Sequence, residues 1–167
     1  MTRLLNRLYF IKNLPAILLS ILSGLLLSFS WPEIGVFPFI FISFIPLFIL
    51  ENKISKSKKR TSLKVLFFSF CTFFIFNVLT TYWIRHASPE GAIVAFVINS
   101  LLMGLVFMSF HKVKKVLGRK KGYFFFIIFW ISMEYLHLHW EIAWPWLSLG
   151  NVFAKYPDVV QWYEYTG

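Results

Sequence analysis

Five stretches of the chain are almost unbroken in apolar residues, and polar clusters separate them. They run roughly Leu14–Ser30, Ile34–Leu50, Leu63–Ile84, Gly91–Phe110 and Gly122–Leu138. A helix needs about 17–25 mostly apolar residues to cross a bilayer, so each stretch is long enough. Leu63–Ile84 alone holds about thirteen Leu, Ile, Val and Phe, each favouring insertion by ~0.3–0.6 kcal/mol, or roughly 6 kcal/mol together. Strands of a membrane barrel alternate apolar and polar positions. Runs such as Val65–Phe68 and Phe124–Ile128 do not alternate. In hydrocarbon every backbone N–H must find its partner within the segment, which leaves helix. The pattern therefore predicts an all-α, polytopic helical membrane protein with about five transmembrane helices. The second stretch carries Pro38 and Pro46 and is expected to kink, with a re-entrant hairpin as the alternative.

Composition narrows the class further. The 167 residues are 58% hydrophobic and only 14% charged, against about 45–50% and about 25% in ordinary globular domains. That excludes a typical soluble domain, and disorder, which needs low hydrophobicity. A formal charge of +10 would suit nucleic acid, but a chain with 21 Phe is not built for it, and no nucleic-acid partner is expected. The cations instead report orientation. Fifteen of the seventeen Lys and Arg lie before the first span (Arg3, Arg7, Lys12), between the second and third (Lys53 to Lys64), or between the fourth and fifth (Lys112 to Lys121). Arg85 and Lys155 lie on the other side. The positive-inside rule then places the N-terminus and both basic connections, read as solvated loops, in the cytoplasm. The first stretch is read as a retained anchor, because no small-x-small cleavage site follows it. A Trp-rich loop, 139–167, falls outside. Its last residues, Tyr163–Gly167, read as the approach to another element, so the chain is expected to be the first part of something longer.

Few residues offer chemistry. Cys71 sits mid-span, away from the water a reactive thiol needs. Glu134-x-x-His137 has a spacing used in di-iron bundles, but the second copy such a site requires is missing, so neither metal nor cofactor is expected. Glu134 lies within the fifth span, where an ionisable group is a functional candidate or a structural hydrogen-bond partner. Asn77 and Asn99 read as interhelical hydrogen bonds. The segment Trp140–Gly150 is the most informative. Trp144 and Trp146 flank Pro145, which is expected to stop the helix. Three indoles in seven residues read either as interfacial anchors or as a lip where lipid docks.

At this segment the sequence resembles bacterial apolipoprotein N-acyltransferases. That family carries Glu-x-Leu-Arg-Gly at the end of a membrane helix, then Gly-Phe/Tyr-Pro-Trp-x-x-x-Gly. The matching residues here are Glu134, Leu136, Pro145, Trp146 and Gly150, while His137 stands for the Arg and Ala143 for the first Gly of the second motif. Phe29–Ser30–Trp31–Pro32 resembles the family's break between helices one and two, and Tyr82–Trp83–Ile84 the end of its third helix. The resemblance implies the membrane part of an inner-membrane enzyme. That enzyme takes an acyl chain from a phospholipid, holds it as a thioester, and passes it to the amine of a diacylglyceryl-cysteine on a lipoprotein. Its Glu-Lys-Cys catalytic set belongs to a nitrilase-like domain that these 167 residues lack, so no catalytic residue is expected in them and the chain alone is expected to be silent. Trp146 is the implied lipid contact, with Trp144, Pro145 and Trp83 beside it, and Glu134 is implied to hold the loop. A transporter component or a non-catalytic membrane scaffold remains the alternative.

Overall fold

A computed structural model describes residues 14–33, 35–57, 59–141 and 144–166. Arg3, Arg7, Lys12, Ile34, Lys58, Ala143 and Gly167, all used above, lie outside the described residues. Among those described there is no strand. The helices are α1 (Ala16–Ser30), α2 (Phe37–Ser55), α3 (Thr61–Thr81), α4 (Pro89–Leu117), α5 (Arg119–His139) and a short α6 (Tyr163–Thr166). α2, α4, and α3 together with the 3-10 turn Tyr82–His86 are each long and apolar enough to cross a membrane. α1 has 15 residues, and α5 opens on Arg119, Lys120 and Lys121.

α2 kinks rather than folding back. Pro46 has no N–H to give to the Ile42 carbonyl, so the helix is interrupted at Phe44, whose own N–H takes that carbonyl. The basic connections differ from expectation. Lys53 is helical, α3 already begins at Thr61, and α4 meets α5 through the single residue Gly118. The hydrophobic pattern marks only the part of a helix in hydrocarbon. Lys and Arg are good helix formers and reach water along their stems, so helices continue past that boundary. Gly118 makes the reversal at φ 84°, a conformation open to glycine.

Small residues let α1 and α3 touch. A Cβ on Gly24 would lie 2.7 Å from the Thr72 carbonyl oxygen. Beside it, Ser20 Oγ donates to the Phe68 carbonyl at 2.7 Å and Thr72 Oγ1 to the Ser20 carbonyl at 3.0 Å. Such hydrogen-bonded, small-residue contacts are how membrane helices associate when hydrophobicity cannot drive them together. Gly24→Leu is therefore expected to destabilise the fold by about 1–3 kcal/mol. An unaltered unfolding curve in mixed micelles would refute the contact.

Aromatic rings fill the space between α2, α4 and α5. Phe48 lies 5.1–5.7 Å, ring centre to ring centre, from Phe107, Phe110, Tyr123 and Phe126. Asn99 donates to Asn77 Oδ1 across α4 and α3 at 2.7 Å, as the two mid-span amides suggested. Cys71 is half-buried on α3.

At the basic end, a polar cluster ties the helices. His111 Nδ1 sits 2.7 Å from Glu51 Oε1, and both side chains are 1% exposed. Lys114 also pairs with Glu51, Ser55 Oγ donates to it at 2.7 Å, and His111 Nε2 lies 3.2 Å from Thr61 Oγ1. Lys53 reaches the Leu14 carbonyl at 2.6 Å. The start of α1, the end of α2, the start of α3 and the end of α4 thus share one end of the bundle. At the other end the chain after α5 packs back. Tyr156 donates its hydroxyl to the Gly35 carbonyl at 2.9 Å, and the Phe37 ring packs at a tilt against Phe153 and Tyr156.

Candidate functional site

The Trp-rich segment lies at this second end. α5 finishes at His139, where Trp140 turns extended (φ −117°, ψ 167°) and the His139 ring bonds back to the Tyr135 carbonyl. Pro145 therefore does not stop the helix, as the sequence suggested. It opens a 3-10 turn, Pro145–Leu147, because its fixed φ suits the first position of a turn. A second turn, Leu149–Phe153, follows.

Two side chains hold these turns. Glu134 Oε1 accepts the indole N–H of Trp130 at 2.9 Å, one helical turn earlier, and the backbone N–H of Leu149 at 2.8 Å. One carboxylate oxygen thus links α5 to the chain fifteen residues on. Asn151 Nδ2 donates to the carbonyls of Pro145 and Trp146, at 3.0 and 3.1 Å. Leu147 and Val152 are buried beneath and anchor the segment to the core.

Fixed from below, the turn presents its indole outward. Trp146 is 54% exposed and meets the edge of Trp83, 40% exposed, with ring centres 5.6 Å apart. Trp83 comes from the 3-10 turn after α3, so the pair bridges the two ends of the sequence-predicted site. Arg85, in that same turn, places its guanidinium 5.8 Å from the Tyr82 ring centre. Glu134, Pro145, Trp146 and Trp83 therefore gather at one place. Trp144 does not join them at the surface. It is half-buried and turns toward a cavity between α4 and α5, which His137 also lines.

The sequence singled out His137 only as a metal-ligand spacing and a departure from the family motif, and it missed Asn151. Glu134 and His137 are three residues apart and share a helix face, which would have placed both against the loop. Asn151 follows Gly150 in a turn-rich stretch, where Asn side chains commonly bond nearby backbone. Chemically the place offers two indole faces, a stapled turn and a carboxylate taken up by two donors. That is equipment for contact and positioning.

A family model, the apolipoprotein N-acyltransferase N-terminal domain, matches residues 23–167. The chain belongs to this family. An apolipoprotein N-acyltransferase of Chlorobaculum tepidum is 26% identical over 173 residues, an alignment covering all of this chain and 30% of that protein. The chain thus spans 30% of the length of that relative. No solved structure matches it. Family membership places the Trp-rich turn in the family's N-terminal domain, which in this chain is helical, with helices long and apolar enough to cross a membrane.

Proposed function

We propose that the chain is the membrane part of an apolipoprotein N-acyltransferase in a bacterial inner membrane. It crosses the bilayer several times, with the basic end in the cytoplasm and the Trp83–Trp146 lip outside. There it brings together two lipid substrates, a phospholipid acyl donor and the diacylglyceryl-cysteine of a lipoprotein. The transfer breaks the donor's ester and forms an amide on the acceptor's amine, and the groups that carry it out lie in a further domain. Holding both reactants at one place makes their encounter effectively unimolecular. The observation that carries this reading is the exposed Trp83–Trp146 pair on a turn tied to α5 through Glu134. Trp rings favour the depth where headgroups meet hydrocarbon.

The test joins this chain to the remaining portion of the Chlorobaculum relative and follows a labelled acyl chain from phospholipid to a diacylglyceryl-cysteinyl peptide. Transfer is expected from the joined protein and not from the 167-residue chain. Trp146→Ala is expected to slow it about tenfold, the equivalent of one lost apolar contact of ~1.4 kcal/mol, with the amount of folded protein unchanged. A joined protein that inserts and stays monodisperse but transfers nothing would overturn the assignment.

A further inference from the structure

The basic end of the bundle carries charge that the described residues do not answer. Lys53 is engaged by the Leu14 carbonyl, and Lys114 by Glu51 and Asn52. Lys112, Lys115, Lys120 and Lys121 surround the reversal from α4 into α5. All four are exposed, and their side chains have no hydrogen bond or ion pair among the described residues. The same holds for Lys56, Lys59, Arg60 and Lys64, around the turn from α2 into α3. Glu51 is the one acid at this end among the described residues, and His111 and Lys114 take it up. The other six Asp and Glu lie toward the Trp-rich end. Neither α3 nor α5 has an acid in its first turn, so the positive ends of both helix dipoles add to the field.

Helix length sets the depth of this charge. α4 has 29 residues, or about 43 Å at 1.5 Å per residue. That matches the ~40–45 Å of a bilayer with both headgroup layers, not the ~30 Å of its hydrocarbon alone. α4 starts just after the turn that carries Trp83, a residue type of the opposite interface. Its last turn and the Gly118 reversal therefore lie in the headgroup layer of the other leaflet. The side chains there are mixed as that layer is. Val116 is 81% exposed between the lysines, with Leu117 exposed beside it. Phe124 is exposed one turn after Lys120, and Leu63 is exposed next to Lys64.

We propose that this end is a docking surface for anionic phospholipid headgroups of the cytoplasmic leaflet, their phosphates held by Lys112, Lys115, Lys120 and Lys121, with Val116 and Leu117 lying among the headgroups rather than in water. Charge complementarity calls for an anion, and basic segments beside membrane helices are drawn to anionic leaflets, each cation strengthening the attraction about fivefold. The exposed apolar residues and the depth select lipid over a soluble polyanion. A polyanion in the cytosol would leave Val116 and Leu117 in water and would have to reach past the headgroups to Lys112. The surface faces away from the Trp83–Trp146 lip, and the lipids it holds are not acyl donors. They fix the depth at which α4 and α5 stand, and the proposal takes only the orientation from the proposed function, not its chemistry.

The 167-residue chain, offered equal phosphatidylglycerol and phosphatidylcholine in detergent, should retain the anionic lipid at least about tenfold in excess in native mass spectrometry. Raising the ammonium acetate should shrink that excess, because exposed charges are screened. Changing Lys112, Lys115, Lys120 and Lys121 together to Gln should bring the ratio close to one with phosphatidylcholine retention unchanged, whereas misfolding would lose both lipids. The same four changed to Arg should keep the preference. In phosphatidylglycerol vesicles, a dye on Val116→Cys in a Cys71→Ser background should be quenched more by a spin label on lipid headgroups than by acrylamide in the water. Equal retention of the two lipids by the parent chain, or a preference that survives the Gln changes, would overturn the proposal. So would a dye that acrylamide reaches as freely as in detergent, or tight binding of polyglutamate to the chain in those vesicles. Should the joined protein transfer nothing while the phosphatidylglycerol preference persists, the acyltransferase reading fails and this one stands.

Discussion

Glu51→Ala is expected to destabilise the fold by about 3–5 kcal/mol, the usual consequence of removing one partner from a buried ion pair. His111 faces Glu51 with 1% of its own surface exposed, and Lys114 and Ser55 direct donors to the same carboxylate. Deleting the acid removes the carboxylate the three share and leaves Lys114 only Asn52 Oδ1, at the point where α2, α3 and α4 meet. The comparison that gives the result meaning is the triple variant Glu51→Leu, His111→Leu, Lys114→Leu. Replacing a whole buried ionic cluster by apolar side chains is often neutral or stabilising, so the triple variant should recover most of the loss. Unfolding by SDS titration in mixed micelles measures both. A single variant as stable as the parent would show that the cluster holds nothing.

The second large effect concerns activity. Glu134→Ala, in the joined acyltransferase, should lower acyl transfer about ten- to a hundred-fold, because the two hydrogen bonds it loses, of ~0.5–1.5 kcal/mol each, fix the Trp146 turn. Both donors, Trp130 and Leu149, use the same oxygen, Oε1. A glutamine supplies an oxygen at that position, so Glu134→Gln should stay within a few-fold of the parent. A residue that moved protons would behave differently, and its glutamine variant would be as inactive as the alanine. Rescue by glutamine therefore separates positioning from acid–base work.

The helices were legible because a bilayer leaves the backbone one solution, and thirteen apolar side chains in Leu63–Ile84 need no partner to declare it. The kink at Pro46 was legible for an equally local reason, a missing N–H. Helix ends were not. Lys53, Lys64 and Lys114 read as loop because they are charged, yet they continue helices whose hydrogen bonds take no account of where hydrocarbon stops. The Glu51–His111 pair was invisible since its members are sixty residues apart and each looks like surface in its own neighbourhood. At the candidate site, Trp146 and Glu134 stood out by residue type and by resemblance. His137 was noticed for its spacing from Glu134 and for replacing the family Arg, but its place beside a cavity depends on Trp140, Trp144 and α4, which no local pattern ties to it.

The account rests on the Trp-rich turn and the basic turns lying on opposite faces of one membrane. Single cysteines at Gly150 and Lys59, each in a Cys71→Ser background, test this most directly. Gly150 is exposed with open space around it, so the thiol disturbs nothing. In intact cells a membrane-impermeant maleimide should label Gly150→Cys, and should reach Lys59→Cys only after the membrane is permeabilised. Labelling of both from outside, or of Lys59→Cys alone, would contradict the orientation and with it the outward lipid lip.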